Sequence, residues 1–274
     1  MNISYKEFFN LQGRTAIVTG GIGILGKSFC AGLAEFGANV AVVDLDEDHA
    51  VNFAKELSIR YNVKALGIRC DVTSLDEIRL MIKRVVEEFG EINILHNNAG
   101  GKSMDIEASL APFEDYTLET WRAMGSINID GMFLVAQAVG KRMIEQGKGG
   151  VIIQTSSMYG LIAPDQRIYE GSKYMGYQMN SPASYMASKA AVIGLTKYLA
   201  VYWADKGIRV NCLSPGGVES GQSKLFKQKF SARVPLGRMA NRDEMVGALI
   251  YLASDASSYV TGENIIVDGG TNIW

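Results

Sequence analysis

The sequence predicts an α/β fold of three layers, with one doubly wound parallel sheet between two layers of helices, in a single domain. Three observations support this prediction. Short apolar segments without charged residues alternate with longer segments of helical periodicity. The length of 274 residues is within the range of one large α/β domain. No linker, internal repeat or low-complexity tract divides the chain, so all of it can share one core.

Strands are expected where apolar runs are short, because strands buried on both faces of a parallel sheet carry few polar side chains. These runs lie at 15–19, 39–43, 64–69, 92–95 and 151–154, just before Pro215, and at 264–267. Helices are expected where apolar residues recur every three or four positions. These segments run from the first glycine-rich turn to Phe36, and over 48–60, 75–89, 118–144 and 190–202. Strands that alternate with helices in this way favour a parallel sheet.

Composition excludes several classes of function. The net charge of −2 offers no electrostatic basis for binding nucleic acid. Three widely separated cysteines and two histidines lack metal-ligand spacing, so we expect neither a metal site nor a disulfide framework. No apolar run is long enough to cross a bilayer, and residues 1–12 lack the apolar centre of a signal peptide. We therefore expect a cytoplasmic protein that binds neither nucleic acid nor membrane.

A glycine-rich turn follows the first expected strand. Gly20, Gly23 and Gly26 would let the backbone approach a pyrophosphate and place it at the N-terminus of the next helix. Asp44 is 18 residues past Gly26, at the end of the second strand, where an acid that binds the adenosine ribose is expected. A tight turn with a helix cap would explain the glycines, but not Asp44. We therefore expect the Rossmann type of fold, with NAD as cofactor.

Tyr185 and Lys189 stand four residues apart at the start of a helical segment. One helical turn would place the phenol and the ammonium on the same face. A cation beside a phenol lowers the phenol pKa from about 10, so such a tyrosine could transfer protons near neutral pH. The spacing alone would also fit an exposed helix start, so this interpretation depends on the residues around it.

With these motifs the chain resembles the short-chain dehydrogenase/reductase family, in its single-domain branch. The resemblance extends over residues 15–270. Besides the glycine-rich turn, it rests on Asp71-Val72, Asn97-Asn98-Ala99-Gly100, Asn128, Ser157, Tyr185 with Lys189, Ile208-Arg209-Val210-Asn211, Pro215-Gly216 and Val267-Asp268-Gly269-Gly270. So many matches in the same order are specific for the family, but they carry little information about the substrate.

The resemblance implies hydride transfer between a substrate carbon and a nicotinamide, with the protein supplying position and electrostatics. Tyr185 would be the general acid/base, and Lys189 would lower its pKa and bind the nicotinamide ribose. Ser157, rather than its neighbour Ser156, would stabilise the substrate oxygen, and Asn128 would hold a water of the proton relay. The implied cofactor contacts are Gly20, Ile22, Gly23, Ile24, Leu25, Gly26, Asp44, Asp71, Val72, Asn98, Ala99, Gly100, Tyr185, Lys189, Pro215, Gly216, Val218 and Ser220.

The glycine-rich turn departs from the pattern of the branch. The branch usually has three glycines in this turn, and Ile24 stands where the middle one is usual. The resulting spacing resembles the longer branch of the family, which includes nucleotide-sugar epimerases and dehydratases. The length of the block is unchanged, so we expect the pyrophosphate site to be retained. The path of the backbone through the turn remains open at this point.

A second departure is an insert at about 161–183, which widens the separation of Ser157 and Tyr185 to 28 residues, where about a dozen is usual in the family. The insert contains a second tyrosine–lysine pair, Tyr169 and Lys173, only 12 residues after Ser157. Gly176 and Pro182 follow this pair closely and would interrupt a helix. An unbroken helical pattern follows Tyr185 instead. We therefore assign the catalytic role to Tyr185.

The sequence gives less information about the substrate than about the cofactor. A segment at about 218–238, which by resemblance would be a mobile lid, is followed by Arg242, and no acid stands between Ser220 and Asp243. Its basic residues could attract an anionic substrate, or they could form a solvated helix face. The insert adds polar and aromatic side chains: Gln166, Arg167, Tyr169, Tyr174, Tyr177, Gln178 and Asn180. This set favours a sugar, a sugar acid or a nucleotide-linked sugar over a steroid or an acyl chain.

The resulting expectation is an NAD(H)-dependent oxidoreductase that interconverts a secondary alcohol and a ketone on a small polar substrate. One alternative is a sugar epimerase or dehydratase that retains its NAD, for which the spacing of the glycine-rich turn is the sole support. Another is a non-catalytic NAD-binding protein on the same fold, which would have no need of a proton relay. By resemblance to the family we expect a homotetramer, with a dimer as the second choice.

Overall fold

A computed structural model describes residues 4–101 and 105–274 of the chain. The strands are β1 (Thr15–Thr19), β2 (Asn39–Asp44), β3 (Ala65–Arg69), β4 (Ile94–Asn97), β5 (Gly150–Thr155), β6 (Lys173–Tyr174), β7 (Tyr177–Gln178), β8 (Ile208–Pro215) and β9 (Asn264–Val267). The α-helices are α1 (Ile24–Glu35), α2 (Glu47–Tyr61), α3 (Leu75–Phe89), α4 (Ile106–Ser109), α5 (Leu118–Gly125), α6 (Met132–Gln146), α7 (Ala183–Tyr202), α8 (Lys224–Ser231) and α9 (Val246–Ala253). A π-helical turn, Ser126–Gly131, joins α5 to α6.

The main sheet has seven strands in the order β3-β2-β1-β4-β5-β8-β9. Every neighbouring pair in it is parallel. The chain builds outward from β1 to β3 and then returns to place β4 on the other side of β1. This reversal opens a crevice at the carboxyl ends of β1 and β4, which is where open α/β sheets bind ligands. The predicted fold class is confirmed.

Helices cover both faces of the sheet and bury two separate apolar clusters. On one face, Phe29 and Leu33 of α1 pack with residues of α2 and α9. On the other face, Val85 of α3, Val139 of α6 and Leu199 of α7 pack against the sheet. The strands between them are apolar on both sides, as the uncharged runs of the sequence indicate. Among the described residues, no helix is both long and apolar enough to cross a membrane.

The strand expected at 92–95 is displaced and lies at Ile94–Asn97. Ile92 is fully buried. Its backbone N–H and C=O are nevertheless bound by the side-chain amide of Gln146, at 3.0 and 2.8 Å. Because those two groups are already satisfied, Ile92 cannot enter the hydrogen-bond ladder of the sheet.

Two expected helices also differ from the structure. The helix expected over 118–144 is divided by the π-helical turn Ser126–Gly131, which contains Asn128. Such turns accommodate one extra residue and are frequent at functional sites. Helix α7 begins at Ala183 instead of near residue 190, directly after Pro182. A proline fits at a helix start because its missing N–H has no intrahelical partner there.

The insert at 161–183 connects two parts of the molecule. It forms a short 3-10 turn followed by the hairpin β6–β7. On one side, Asn180 Nδ2 donates to the carbonyl of Ala111, beyond α4, at 2.9 Å. On the other side, Lys229 Nζ of α8 donates to the carbonyl of Glu170 at 2.9 Å. The insert is therefore attached both to the segment after β4 and to the helix of the expected lid.

Candidate active site

The glycine-rich turn at the end of β1 requires glycine at two positions. Gly20 has φ of +64°, in the left-handed region that favours glycine. A Cβ on Gly26 would lie 1.9 Å from the carbonyl oxygen of Gly20, so only glycine fits there. Ile24, at the place of the usual middle glycine, is the first residue of α1 and its side chain is 52% exposed. A side chain is tolerated at this position because it extends into solvent.

Asp44 closes the same crevice from the end of β2. Its Oδ2 accepts a hydrogen bond from the N–H of Ile22 at 3.1 Å, and its Oδ1 accepts from the N–H of Leu45 at 2.8 Å. The register of the sheet pairs Asp44 with Arg69 of β3. That guanidinium is bound by Glu77, at 2.7 Å. The carboxylate of Asp44 therefore faces the crevice beside the start of α1, and its nearest cation in the register already has a carboxylate partner.

The ends of β1 and β4 are joined through the hydroxyl of Thr19. Its Oγ1 accepts from the N–H groups of Asn98 at 2.9 Å and Ala99 at 3.0 Å. Asn98 Nδ2 in turn donates to the Thr19 carbonyl at 3.1 Å. Gly100 follows, and a Cβ on it would lie 3.2 Å from Asn128 Oδ1 and 3.3 Å from Lys189 Nζ. The segment 98–100 thus leads from the glycine-rich turn to the expected catalytic residues.

Asp71 and Val72 lie at the end of β3, on the same edge of the sheet. Asp71 Oδ1 accepts from both the N–H and the hydroxyl of Thr73, at 2.9 and 2.7 Å, and these bonds hold the pKa of its carboxyl below the ordinary value. Val72 is nearly buried against Gly131. The carboxylate of Asp71 is already bound to Thr73. Asp71 and Val72 would therefore contact a ligand as part of the wall of the crevice.

Ser157 and Tyr185 meet between the end of β5 and the first turn of α7. Burial raises the pKa of the Tyr185 phenol, and a hydrogen bond with Ser157 opposes this rise. The neighbouring hydroxyl, Ser156 Oγ, donates to the carbonyl of Lys189 at 2.6 Å and so attaches the turn after β5 to α7. Of the two adjacent serines, Ser157 is therefore the one directed to the phenol.

Lys189 is 4% exposed and lies one helical turn beyond Tyr185. Its Nζ donates to the carbonyl of Thr155 at 3.0 Å and lies 5.8 Å from the centroid of the Tyr185 ring. Burial lowers the Lys189 pKa to about 8. The expected lowering of the Tyr185 pKa is not what the structure has, because desolvation of the phenol dominates and the ammonium is directed to a carbonyl group.

Asn128 is completely buried in the π-helical turn. Its Oδ1 accepts from the N–H of Gly101 at 3.0 Å, and its Nδ2 donates to the hydroxyl of Ser188 at 3.4 Å. Ser188 Oγ donates to the carbonyl of Tyr185 at 2.7 Å. A continuous polar path therefore leads from the segment after β4, through Asn128, to the helix that carries Tyr185.

Comparison with known proteins agrees with this geometry. The family model that matches residues 21–272 is described as enoyl-(acyl carrier protein) reductase and belongs to the short-chain dehydrogenases/reductases. The chain belongs to the short-chain dehydrogenase/reductase family. It is accordingly an oxidoreductase that acts on CH–OH groups with a nicotinamide cofactor.

Curated relatives span nearly the whole chain. The D-threitol dehydrogenase of Mycolicibacterium smegmatis is 36% identical, over 97% of this chain and 95% of its own. The NADP-dependent mannitol dehydrogenase of Alternaria alternata is 35% identical, over 97% and 94%. The NAD-dependent glycerol dehydrogenase of Listeria innocua is 32% identical, over 99% and 100%. A short-chain type dehydrogenase/reductase from Mycobacterium marinum has a TM-score of 0.87 and 38% identity, over 99% and 100%.

In this chain the second tyrosine–lysine pair, Tyr169 and Lys173, is not arranged like Tyr185 and Lys189. Tyr169 is 7% exposed in a 3-10 turn, and Lys173 is exposed on the hairpin strand β6. Gly176 has φ of +92° at the hairpin turn. Because no helix joins them, the phenol and the ammonium of this pair do not share a helical face.

The far end of the crevice is formed after β8. The N–H of Gly216 donates to the carbonyl of Val267 at 2.9 Å, which fixes the Pro215-Gly216 corner against β9. Val218 then forms a bridge with Ala240. Ser220 is exposed, and its hydroxyl accepts from Gln222 Nε2 at 2.8 Å. The corner is rigid up to Val218 and open to solvent at Ser220.

The basic residues of the lid segment are largely bound to acids of the same protein. Lys227 contacts Glu219, Lys229 contacts Glu170, Arg233 contacts Asp165, Arg238 contacts Glu244 and Arg242 contacts Asp243. The bidentate pair of Arg238 and Glu244 has two contacts of 2.6 Å. These ion pairs favour the solvated-face interpretation over attraction of an anionic substrate.

Some residues of this site were not identified from the sequence. Thr155 holds Lys189, Ser188 connects Asn128 to α7, and Tyr159 lies two positions beyond Ser157. Thr19 appeared only as the last residue of the strand expected at 15–19. Its place between a buried strand and the first glycine is a local signal that could have identified it. Thr155 and Ser188 have no such signal, because Lys189 and Asn128 are 34 and 60 residues away from them in the sequence.

Proposed function

We propose that this protein is an NAD(H)-dependent oxidoreductase that interconverts a secondary alcohol and a ketone on a small polyhydroxylated substrate. The observation that carries the proposal is the meeting of Ser157 with the half-buried phenol of Tyr185 at the crevice of the sheet. A hydroxyl group and a phenol that converge in this way suit a substrate oxygen that gains or loses a proton. The single-domain arrangement, with the insert at 161–183 and the lid at 218–238, is part of the proposal.

The residues of the crevice fit a nicotinamide dinucleotide. A Cβ on Gly20 or Gly26 would fill the space in the glycine-rich turn. The turn lies at the N-terminus of α1, whose first N–H groups have no intrahelical partner and could bind a pyrophosphate. Ile22, Gly23, Ile24 and Leu25 complete that turn, with Asp44 beside it. Asp71, Val72, Asn98, Ala99, Gly100, Pro215, Gly216, Val218 and Ser220 form the remaining walls.

Selectivity for NAD over NADP is supported by Asp44. Its carboxylate would accept hydrogen bonds from the ribose hydroxyls and repel a phosphate at the same place. Arg69, the cation adjacent in the sheet register, is neutralised by Glu77 and is not free to bind such a phosphate. The relatives include proteins named for each cofactor, so the proposal rests on these residues of this chain.

Proton transfer is assigned to Tyr185. In oxidation the phenolate accepts the proton of the alcohol, and in reduction the phenol returns it to the carbonyl oxygen, while Ser157 donates a hydrogen bond to that oxygen. A nicotinamide held in the crevice would supply the hydride acceptor in oxidation and the hydride donor in reduction. Lys189 would bind the nicotinamide ribose and connect the phenol to the polar path through Asn128. Burial of the phenol suits this role, because the group stays protonated until a charged cofactor and a substrate surround it.

A polyhydroxylated substrate is supported by the insert and by the relatives. Gln166, Gln178 and Asn180 of the insert line a cavity beside the segment after α4. Their amide N–H groups donate to the backbone carbonyls of Ser181, Tyr169 and Ala111, which holds these polar side chains at the cavity wall. Three of the relatives are named for D-threitol, mannitol and glycerol. All three compounds are small and carry several hydroxyl groups. The ion pairs of the lid leave little excess positive charge for an acid, which favours a neutral sugar or sugar alcohol.

Assembly as a homotetramer, with a dimer as the second choice, is also part of the proposal. The outer faces of α6 and α7 expose large apolar side chains, with Phe133 at 44%, Tyr198 at 63% and Val201 at 82% exposure. At the end of the described chain, Trp274 is 76% exposed. Exposed apolar surface of this extent on two adjacent helices is typical of subunit interfaces.

A substrate screen tests the function. Purified protein is incubated with NAD and sugar alcohols of three to six carbons, and with NADH and the matching ketoses, while NADH absorbance is followed. We expect turnover with at least one polyol and its ketose, and turnover lower by about 10²-fold or more with the Tyr185→Phe variant. Conversion of a sugar without release of free NADH would support the epimerase or dehydratase alternative. Cofactor binding without any turnover would support the non-catalytic alternative.

A further inference from the structure

Two further phenols lie beside the proposed catalytic centre. The hydroxyl oxygens of Tyr159 and Tyr169 are 3.2 Å apart. Tyr159 follows Ser157 by two residues, and its N–H donates to Ser157 Oγ at 3.2 Å. Tyr169 belongs to the insert. The phenol pair therefore joins the turn that carries the proposed catalytic serine to the insert, which is a departure from the usual pattern of the family.

The ring of Tyr169 is held firmly in place. It is 7% exposed and stacks on Phe226 of α8, with centroids 5.5 Å apart and an interplanar angle of 28°. Met158 and Phe230 belong to the same apolar cluster. The carbonyl of Tyr169 accepts from Gln178 Nε2 at 2.8 Å. A hydroxyl fixed by packing in this way can bind a partner without losing further side-chain entropy.

The pair lies beside the turn that meets Tyr185, because the N–H of Tyr159 donates to Ser157 Oγ at 3.2 Å and Ser157 hydrogen-bonds with Tyr185. Burial raises the pKa of Tyr185, and the neighbouring Tyr169 raises it further. Burial likewise raises the pKa of Tyr159, and Tyr185 adds to that effect. Such mutual repulsion between phenolates is felt at short range. All three phenols are therefore neutral at pH 7 and can act as hydrogen-bond donors.

The hydroxyl groups of this cluster are not fully used by one another. Tyr169 also hydrogen-bonds with the hydroxyl of Ser181, which is 9% exposed. Together with Tyr159 these groups hold three protons and make two contacts, so one donor and several lone pairs remain. Tyr159 is half-buried and so can be reached from solvent, and a further hydroxyl group would complete the set.

We propose that Tyr159 and Tyr169 form a subsite that binds a substrate hydroxyl group other than the one that reacts, and that this subsite selects polyhydric alcohols and their ketones. The inference rests on the proposed function and adds the residues that recognise the substrate class. A substrate without a second hydroxyl leaves the phenols unpaired, which is the situation in which a polar site discriminates most strongly.

The test compares Tyr159→Phe and Tyr169→Phe with wild type on two kinds of substrate. One is the polyol that wild type oxidises best among D-threitol, glycerol and D-mannitol, and the other is 2-butanol, which has a single hydroxyl. For each variant we expect kcat/KM for the polyol to fall about 10-fold or more, mainly through KM, with 2-butanol changed less than about twofold. Tyr259→Phe is the matched control, because that side chain is 102% exposed.

The outcomes separate the two proposals. Loss confined to the polyol supports the subsite. An equal loss on both substrates, or no loss on either, overturns the subsite while leaving the proposed function intact. Failure of wild type to oxidise any polyol or reduce any ketose overturns both. Circular dichroism and the affinity for NADH, measured by fluorescence, verify that the variants are folded and bind cofactor as wild type does.

Discussion

The hydroxyl of Ser156 donates a 2.6 Å hydrogen bond to the main-chain carbonyl of Lys189. This bond connects the turn after β5 to the second turn of α7, over 33 residues of sequence. It fixes Ser157 relative to Tyr185, so the insert between them can lengthen the chain without disturbing their contact. The proposed catalytic pair can therefore stay together despite an insert of this size.

The first prediction distinguishes the two tyrosines. Tyr185→Phe removes the proton-transfer group but keeps the ring, so turnover should fall by about 10²-fold or more while cofactor affinity changes little. Tyr169→Phe should leave kcat nearly intact and raise KM. Steady-state kinetics and NADH fluorescence check both. Loss of turnover in Tyr169→Phe with activity retained in Tyr185→Phe would show that the helix argument assigns the wrong tyrosine.

Cofactor choice provides the second prediction. The native protein should use NAD with a kcat/KM about 10-fold or more above that for NADP, since Asp44 would repel the 2′-phosphate. Asp44→Ser should reduce this ratio, because it removes the negative charge while keeping a polar side chain. Initial rates with each cofactor at saturating substrate give the values. Comparable efficiency with NADP in the native protein is incompatible with the proposed role of Asp44.

The third prediction concerns the glycine-rich turn. Gly26→Ala places a Cβ 1.9 Å from the Gly20 carbonyl oxygen, so the turn must shift and the affinity for NADH should fall at least about 10-fold. Gly247→Ala in α9 is the matched control, because nothing lies within 4 Å of its added Cβ. The control should bind NADH normally and be slightly more stable, as alanine favours helix. Normal binding by Gly26→Ala would contradict the fit of the turn to pyrophosphate.

Replacement of Lys189 tests the cost of its buried charge. Burial lowers the Lys189 pKa to about 8 from an ordinary 10.5, so the charged form disfavours the folded state below pH 8. This penalty decreases as pH rises from 8 and is absent above 10.5. Lys189→Met should abolish activity yet raise the free energy of unfolding at pH 7 by about 2 kcal/mol, after loss of the bond to Thr155.

Thermal unfolding of wild type and Lys189→Met at pH 7 and pH 9.5 measures that effect. The Tm of the variant should exceed that of wild type at pH 7, and the difference should shrink at pH 9.5. An unchanged difference at the two pH values would mean that the ammonium is not penalised by burial. Lys197→Met on the exposed part of α7 is the control for replacing a lysine of this helix by methionine, and its Tm at pH 7 should stay close to that of wild type.

The last prediction concerns assembly. Light scattering at micromolar concentration should give the mass of four chains, each of 29.8 kDa. Val201→Glu places a charge on the exposed apolar face of α7 and should reduce the mass to that of a smaller species. A monomeric wild-type protein would refute the proposed interface. Glu56→Lys on α2 changes an exposed charge elsewhere and should leave the mass unaltered.

Features that depend on neighbouring residues could be predicted from the sequence. Strand and helix periodicity predicted the fold class, and most element bounds differ from the structure by one or two residues. The family was identified from ordered short motifs, and the comparison confirmed it. Gly176 and Pro182 were sufficient to predict that Tyr169 and Lys173 do not share a helix. In each case the information lies in local backbone preferences, which a linear sequence expresses directly.

Contacts between distant residues could not be predicted in this way. The partner of Lys189 is a carbonyl on β5, 34 residues away, and the phenol partner of Tyr159 lies in the insert. The expected direction of the Tyr185 pKa shift was wrong, because desolvation by everything packed around the phenol outweighs the effect of the one neighbouring charge. Burial and side-chain pairing are properties of the packed molecule, since they depend on which segments the fold brings together.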